Sequence, residues 1–127
     1  MFEQDYIMRL VKEMIRMLLK LLFNIDTESP STDLMENVEQ RAFLNELLDM
    51  IDKGKINEAE NLLFDPENTI KKDNLKTALL FYSYLNEKDD DFLEANNYSR
   101  DEIRSGIKEI AGECGMDGIA GMFLEEM

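Results

Sequence analysis

The chain has 127 residues and a net charge of −14, from 28 acidic and 14 basic side chains. This length suits one domain with a sizeable core, and the acidic balance argues against nucleic acid as a direct partner, because phosphate backbones are themselves negative. The sequence contains no histidine, which removes the usual general base near neutral pH and the commonest transition-metal ligand.

The first predicted helix begins between Glu3 and Tyr6, ends at Phe23 or Asn24, and is apolar around much of its circumference. At about 100° per residue, its apolar side chains cover an arc of about 220° and leave a polar face of only about 100°. That arc is wider than one neighbouring layer covers. The polar face carries Arg9, Lys12, Arg16 and Lys20. The residues predicted to face the domain's own core are Ile7, Leu10, Val11, Met14, Leu18 and Leu21.

Basic residues are concentrated in this first helix. Residues 1–24 hold four basic and three acidic side chains, so the remainder holds ten basic and twenty-five acidic ones, a net charge of −15. A polar loop with Pro30 is predicted over residues 25–33. A second helix is predicted from near Asp33, with Glu36 at the spacing of a capping box, and Gly54 is predicted to end it in the left-handed conformation.

Four further helices and a short helical turn are predicted after Gly54. A short third helix begins near Ile56 and stops at Asp65-Pro66. A fourth helix has one apolar face, with Phe81 and Tyr84 on its flank. The charged run at 87–91 ends it, and a helical turn follows at 92–95.

A capping box formed by Ser99 and Glu102 opens the fifth predicted helix, and Gly115 closes it. Residues 117–127 are predicted to form a final short helix, although two glycines weaken its helical propensity. No segment shows the period-two alternation of a strand. We therefore expect an all-α fold of five or six helices in antiparallel pairs, arranged as a tetratricopeptide-like or irregular bundle.

One helical domain is expected to cover residues 1–127. Its parts are the long amphipathic helix over 1–24, the loop over 25–33 and an acidic helical body over 34–127. The turn GKINEA, from Gly54 to Ala59, resembles the join inside a tetratricopeptide repeat, and Asp65-Pro66 resembles the end of such a repeat. Pro66 follows Ala59 by only seven positions, and no second copy follows at the repeat period. The resemblance therefore implies one helix-hairpin and not a repeat array.

The whole chain also resembles a family of small uncharacterised proteins of Gram-positive anaerobic bacteria, known as a domain of unknown function. The segments that carry this resemblance are FEQDYIMRLVKEMIRMLLKLLF near the start and FLEANNYSRDEIRSGIKEI near the end. The resemblance implies an all-helical fold. It implies no activity, and it supplies no catalytic or binding residue.

The residues most suggestive of chemistry have simpler structural interpretations. Asp89, Asp90 and Asp91 lack the spacing of a calcium loop, so we expect them to lie in a solvated loop whose last acids favour the next helix N-terminus. Cys114 follows a helix and a carboxylate, which disfavours a reactive thiolate, and no histidine is present to activate a serine. We predict no catalytic centre, no metal site and no cofactor.

The sequence also bears on where the protein acts. Charged residues interrupt every apolar run of the first helix, so we expect no secretion signal. No run of about 18 apolar residues is present to span a bilayer. A single cysteine cannot form an intramolecular disulfide. We expect a cytoplasmic protein.

The wide apolar arc of the first helix leaves three interpretations open. Other helices of the same domain can surround it, or one flank can contact a partner such as a second copy across a two-fold axis, or the helix can lie on an anionic membrane. The flanks consist of Tyr6 and Met17 on one side and Met8, Ile15 and Leu19 on the other.

We predict a non-enzymatic protein interaction or scaffolding module that forms a homodimer or binds a helical segment of another protein. The alternative is a peripheral membrane protein held by the basic face of the first helix, which the acidic body opposes. The residues predicted to bind a partner are Tyr6, Met8, Ile15, Met17, Leu19, Phe81 and Tyr84.

Overall fold

The computed structural model describes residues 2–65, 71–113 and 115, with side chains from 5 to 65 and from 75 to 113. Within these residues it has six α-helices, one 3-10 turn at Thr32–Leu34 and no strand, which confirms the predicted all-α fold. The helices are α1 (Phe2–Phe23), α2 (Val38–Asp52), α3 (Ile56–Leu63), α4 (Lys71–Asn86), α5 (Asp90–Ala95) and α6 (Arg100–Glu113). Cys114 and the helix predicted over 117–127 lie outside the described residues.

Helix α4 lies at the centre of the fold. Six consecutive residues, from Thr77 to Tyr82, are buried, and because they span more than one helical turn, α4 is covered on every side. Its neighbours are α1, α2 and α6. The sequence predicted only one apolar face on α4, but the buried surface extends around the whole helix. Phe81, placed on an open flank from the sequence, is fully buried because helices pack around the whole circumference.

Two contacts set the direction of α1 against α4. The Asn86 side chain, at the end of α4, donates to the Met8 carbonyl oxygen near the start of α1 at 2.9 Å. The Lys76 amine, near the start of α4, lies 5.3 Å from the centre of the Phe23 ring at the end of α1. The two helices therefore run antiparallel, as predicted for helix pairs of this fold.

Helix α2 runs in the same direction as α4. The Thr77 hydroxyl donates to the Gln40 side-chain oxygen at 3.3 Å near the start of both helices. The Tyr84 hydroxyl donates to the Asp52 carboxylate at 2.8 Å near the end of both. In the sequence, α3 lies between these two parallel helices.

The second helix begins later than predicted. Asn37, and not Asp33, caps α2, because its side-chain oxygen accepts a hydrogen bond from the Gln40 amide at 3.0 Å. Met35 just before it is extended and buried. The Arg41 guanidinium donates twice to the Met35 carbonyl oxygen, at 3.0 and 2.6 Å, and so holds the extended entry into α2.

Arg100 closes the C-terminal end of α4. Its guanidinium donates to the Asn86 carbonyl oxygen at 2.9 Å and to the Lys88 carbonyl oxygen at 2.6 Å. These are groups that a helix end leaves without intrahelical donors. The same side chain, only 4% exposed, forms an ion pair with Asp90 at 2.8 Å. Asp89 caps α5, so these acids serve a helix start, as predicted, and a buried arginine.

Two other predicted helix boundaries are confirmed, whereas α5 begins at Asp90, two residues before the helical turn predicted at 92–95. Ser99 and Glu102 form the predicted capping box at the start of α6. Gly54 has φ of +81°, the left-handed conformation that ends a helix at low cost in glycine. A side chain there would also overlap the Asn96 amide at the end of α5.

Gly106 allows α6 to approach α4 closely. A Cβ atom at this position would overlap the Tyr82 ring, whereas a Cβ at Gly112, in the same helix, would meet no atom within 4 Å. Tyr82 is fully buried and its hydroxyl donates to Glu60 at 2.5 Å. Moving the ring aside would therefore break this hydrogen bond and the packing around it.

We expect Gly106→Ala and Gly112→Ala to have opposite effects on stability. Overpacking costs about 1–3 kcal/mol and outweighs the gain of up to about 1 kcal/mol that alanine brings to a helix, so Gly106→Ala should be destabilising overall. Gly112→Ala should show the propensity gain alone. Urea unfolding of both variants checks this, and stabilisation by Gly106→Ala would contradict the close α4–α6 contact.

Candidate interaction surface on the first helix

The core side of α1 is largely as predicted. Val11, Met14 and Leu18 are fully buried, and Ile7 is partly buried against the core. Leu21 was predicted to face the core, but its side chain is 53% exposed. Tyr6, which lies on the same border of α1, is also exposed, so the helices that pack against α1 do not cover this border fully.

The border of α1 that carries Ile15 and Leu19 is covered. Both residues were predicted to lie on an open flank, but Ile15 is 2% and Leu19 0% exposed. The reason is α4, whose Asn86 binds the carbonyl oxygen of Met8 on this same border. Met8 itself is half-buried. This flank therefore serves the fold of the chain itself.

The opposite border of α1 stays open. Tyr6 and Leu21 are 49% and 53% exposed, and Leu10 and Met17 between them are half-buried. At about 100° per residue these four side chains fall within an arc of about 60°, and they extend along about 22 Å of helix. We call these four residues the open stripe. The sequence assigned Leu10 and Leu21 to the core, and only their position on the wheel beside Tyr6 and Met17 could have indicated this stripe.

The basic face of α1 is partly neutralised by the loop that follows it. Arg16 pairs with Asp26 at 3.4 Å and with Glu28 at 3.3 Å, and Lys20 pairs with Asp26 at 3.4 Å. The positive charge of Lys20 lowers the pKa of the Asp26 carboxyl. No helix in the described part of the chain is both long and apolar enough to cross a membrane.

A groove of about 580 Å³ runs between this basic face, the loop and the end of α4. Its floor includes Ile15 and Asn86, and its charged lining consists of three cations and three carboxylates: Arg9, Lys12, Arg16, Glu13, Glu28 and Glu87. The two signs balance, so the groove has no electrostatic preference for an anion or a cation. Its charges do not identify a ligand.

A second groove, of about 520 Å³, is lined by Glu60, Glu102 and Glu109 between α3 and α6. Glu60 accepts hydrogen bonds from the hydroxyls of Tyr82 at 2.5 Å and Tyr98 at 2.9 Å. Burial raises the pKa of both phenols, so they remain donors to this carboxylate. Among the described residues, no group of three histidine, cysteine or acidic side chains could hold a metal ion. Glu60 acts as an acceptor that joins α3, α4 and the turn before α6.

Tyr84 was predicted to bind a partner, and in the structure its hydroxyl contacts α2. Its hydroxyl donates to both Asp52 carboxylate oxygens, at 2.8 and 2.9 Å, and the Lys88 amine donates to Asp52 at 2.7 Å. Lys88 also lies over the Tyr84 ring at 4.9 Å. Tyr84 is half-buried, and a role for its ring in partner binding stays a prediction.

This cluster predicts an acid-dependent contribution to stability. The hydrogen bond from Lys88, and then that from Tyr84, lowers the pKa of Asp52 below its ordinary value of 3.8. A carboxyl with a lowered pKa stabilises the folded state above its unfolded pKa and loses this contribution as the pH falls through its folded value. Because the Asp52 side chain is 46% exposed, solvent screening keeps the contribution below about 1 kcal/mol.

The difference in unfolding free energy between the wild type and Asp52→Asn should therefore be constant near pH 6 and shrink below about pH 4. Urea unfolding across this range measures it. Glu46→Gln, which removes one charge from an exposed position of the same helix, is the control. A wild-type advantage that stays unchanged at low pH would contradict the assigned role of Asp52.

Comparison with known proteins places this bundle in one family. The model of a family of unknown function, DUF6483, matches residues 1–115. No curated protein and no solved structure matches the chain. The matched range includes every described helix, and with them both borders of α1 and the loop that neutralises its basic face. The chain belongs to the family of unknown function DUF6483.

Proposed function

We propose that this protein is a non-enzymatic interaction module that binds another protein through the open stripe of α1. The observation that carries this proposal is the asymmetry of that helix. Its Ile15–Leu19 border is buried under α4, while Tyr6 and Leu21 on the other border are about half exposed. Apolar side chains aligned on one surface, beside polar residues, are typical of protein-binding surfaces.

The energy available at the stripe fits a modest affinity. Full burial of a large apolar side chain contributes about 1.5–3 kcal/mol, so covering the exposed half of Tyr6 and of Leu21 contributes roughly 1 kcal/mol each. Leu10 and Met17 contribute less because a smaller fraction of each of these side chains is exposed to solvent. Such a surface suits a transient complex of small interface area.

Two narrower proposals accompany this function. The hairpin formed by α2, Gly54 and α3 has a fully buried Ala59 where the helices meet, which supports its likeness to one tetratricopeptide-type unit, a scaffold that commonly presents binding surfaces. We also propose that the family belongs to Gram-positive anaerobic bacteria and that the protein acts in the cytoplasm. The segments quoted from the sequence support the first of these proposals.

The alternative proposal, attachment to an anionic membrane, has weaker support. Four basic residues lie on the face of α1 opposite the domain core, but two of them, Arg16 and Lys20, pair with carboxylates of the following loop. That leaves Arg9 and Lys12 without an ion pair to any described residue, against a chain charge of −14. Flotation with anionic liposomes at low salt tests it, and a chain that stays unbound there removes the alternative.

The stripe can be tested in the cell that produces the protein. A photo-crosslinking phenylalanine derivative replaces Tyr6 in one variant and Val38 in another, Val38 being 78% exposed at the start of α2. We expect protein adducts from position 6 and none from position 38. Adding Leu21→Glu at the other end of the stripe to the position-6 variant should remove the adducts, because a charge in the stripe must be desolvated on binding.

Val38→Glu, added in the same way, is the matched control for that charge. Both side chains are exposed, so neither change should alter the free energy of unfolding by more than about 0.5 kcal/mol. Equal adduct patterns at positions 6 and 38, or adducts that persist with Leu21→Glu, would contradict the proposed function.

A further inference from the structure

Helix α6 ends beside one end of the open stripe. Its first residue, Arg100, donates to the Asn86 carbonyl oxygen at the end of α4, and Gly106, further along α6, approaches Tyr82 earlier in α4. Helix α6 therefore runs antiparallel to α4, as α1 does, so α1 and α6 are parallel where they pack together. With 14 residues, α6 extends about 20 Å, which brings its end to the part of α1 around Leu21.

The stripe also lies on the side of α1 that is next to α6. Helix α4 covers the border with Ile15 and Leu19, and α6 is another helix that packs against α1. On the helical wheel, the fully buried Met14 lies between that border and the stripe, so α6 covers this part of α1. Gly115, just after α6, has φ of +75°, a conformation that ends a helix and turns the chain. The chain therefore leaves α6 next to the stripe.

The residues that follow, 116–127, have the length and the apolar pattern to cover part of the stripe. In a helix, Ile119, Met122 and Phe123 would fall on one face, because the second and third of them follow the first by three and four positions. Twelve residues in a helix measure about 18 Å, compared with about 22 Å for the stripe. The segment is therefore long enough to cover more than half of the stripe.

We propose that residues 116–127 fold back along α1 and cover the Leu21 end of the open stripe, so that a partner protein must displace them. This inference rests on the proposed function for that partner and adds the regulation of the same surface. A segment that turns back at Gly115 meets Leu21 and Met17 first. Tyr6, at the far end of the stripe, stays accessible to the partner.

Charge and covalent attachment both favour this occupant over a separate molecule. The segment carries three acidic residues and no basic one. Residues 1–24 hold four basic and three acidic side chains, whereas the rest of the chain has a net charge of −15, so α1 repels an acidic segment least. Docking within one chain also has an effective concentration in the millimolar range. A small area that suits only a weak complex between separate molecules can therefore still be covered.

Photo-crosslinking in the purified full-length chain tests the docking. The photo-crosslinking phenylalanine derivative replaces Phe123, and mass spectrometry maps the linked peptides. We expect cross-links within one chain to the α1 peptide that contains Met17 and Leu21, with a yield that does not change with protein concentration. The same derivative in place of Leu124, about 100° away around the helix, is the matched control and should give few of these cross-links.

Phe123→Asp tests the competition with a partner in the cell. A charge on the docking face must be desolvated, so this change should release the segment from α1. The yield of partner adducts from position 6 should then rise about two- to threefold, because the apparent affinity follows the fraction of molecules in which the stripe is free. Leu124→Asp adds the same charge beside that face and should leave the yield unchanged.

The outcomes separate this inference from the proposed function. Cross-links from position 123 that miss α1, that equal those from position 124 or that rise with protein concentration would overturn the docking. An unchanged adduct yield in Phe123→Asp would overturn the competition. Position-6 adducts with another protein leave the proposed function standing in each of these cases. Cross-links from position 123 to α1 without any partner adduct, even in Phe123→Asp, would remove the proposed function and leave the docking.

Discussion

Burial of α4 on every side is the constraint on which the rest of the structure depends. Six successive buried residues, from Thr77 to Tyr82, can be kept from water only by three surrounding helices. Helix α1 packs against α4 with one of its borders, and α2 lies beside α4 in the same direction. Helix α6 comes so close to α4 that only glycine fits at position 106. What remains of the apolar arc of α1 is the open stripe, so the candidate surface follows from the way the core is closed.

Polar contacts then decide how the helices are aligned. Arg100 of α6 donates to the Asn86 and Lys88 carbonyl oxygens at and just after the end of α4 and pairs with Asp90 of α5. The Asn86 side chain donates to the Met8 carbonyl oxygen of α1. Glu60 of α3 accepts two phenolic hydrogen bonds, one from Tyr82 of α4 and one from Tyr98 before α6. Because a buried donor or acceptor without a partner costs about 1–3 kcal/mol, these contacts favour one register of the helices over alternatives that bury similar apolar area.

Electrostatics separates the two faces of α1 that could reach another molecule. The loop after α1 returns Asp26 and Glu28 to its basic face, so the positive charge that would attract an anionic surface is partly used within the chain. The open stripe on the other border is apolar, and Tyr6 and Leu21 in it remain about half exposed.

The sequence by itself determined the all-α class and the approximate positions of the helices, through the spacing of its apolar residues. Its capping and helix-ending residues also determined the left-handed Gly54 and the capping box at Ser99. These features depend on residues that are close together in the chain. Only the tertiary structure decided that α4 is central, that Ile15, Leu19 and Phe81 are buried, and that Leu21 is exposed. A helical wheel gives the angle of each side chain but not which neighbouring helix covers it. That choice depends on contacts such as Asn86 with Met8, which join residues 78 positions apart.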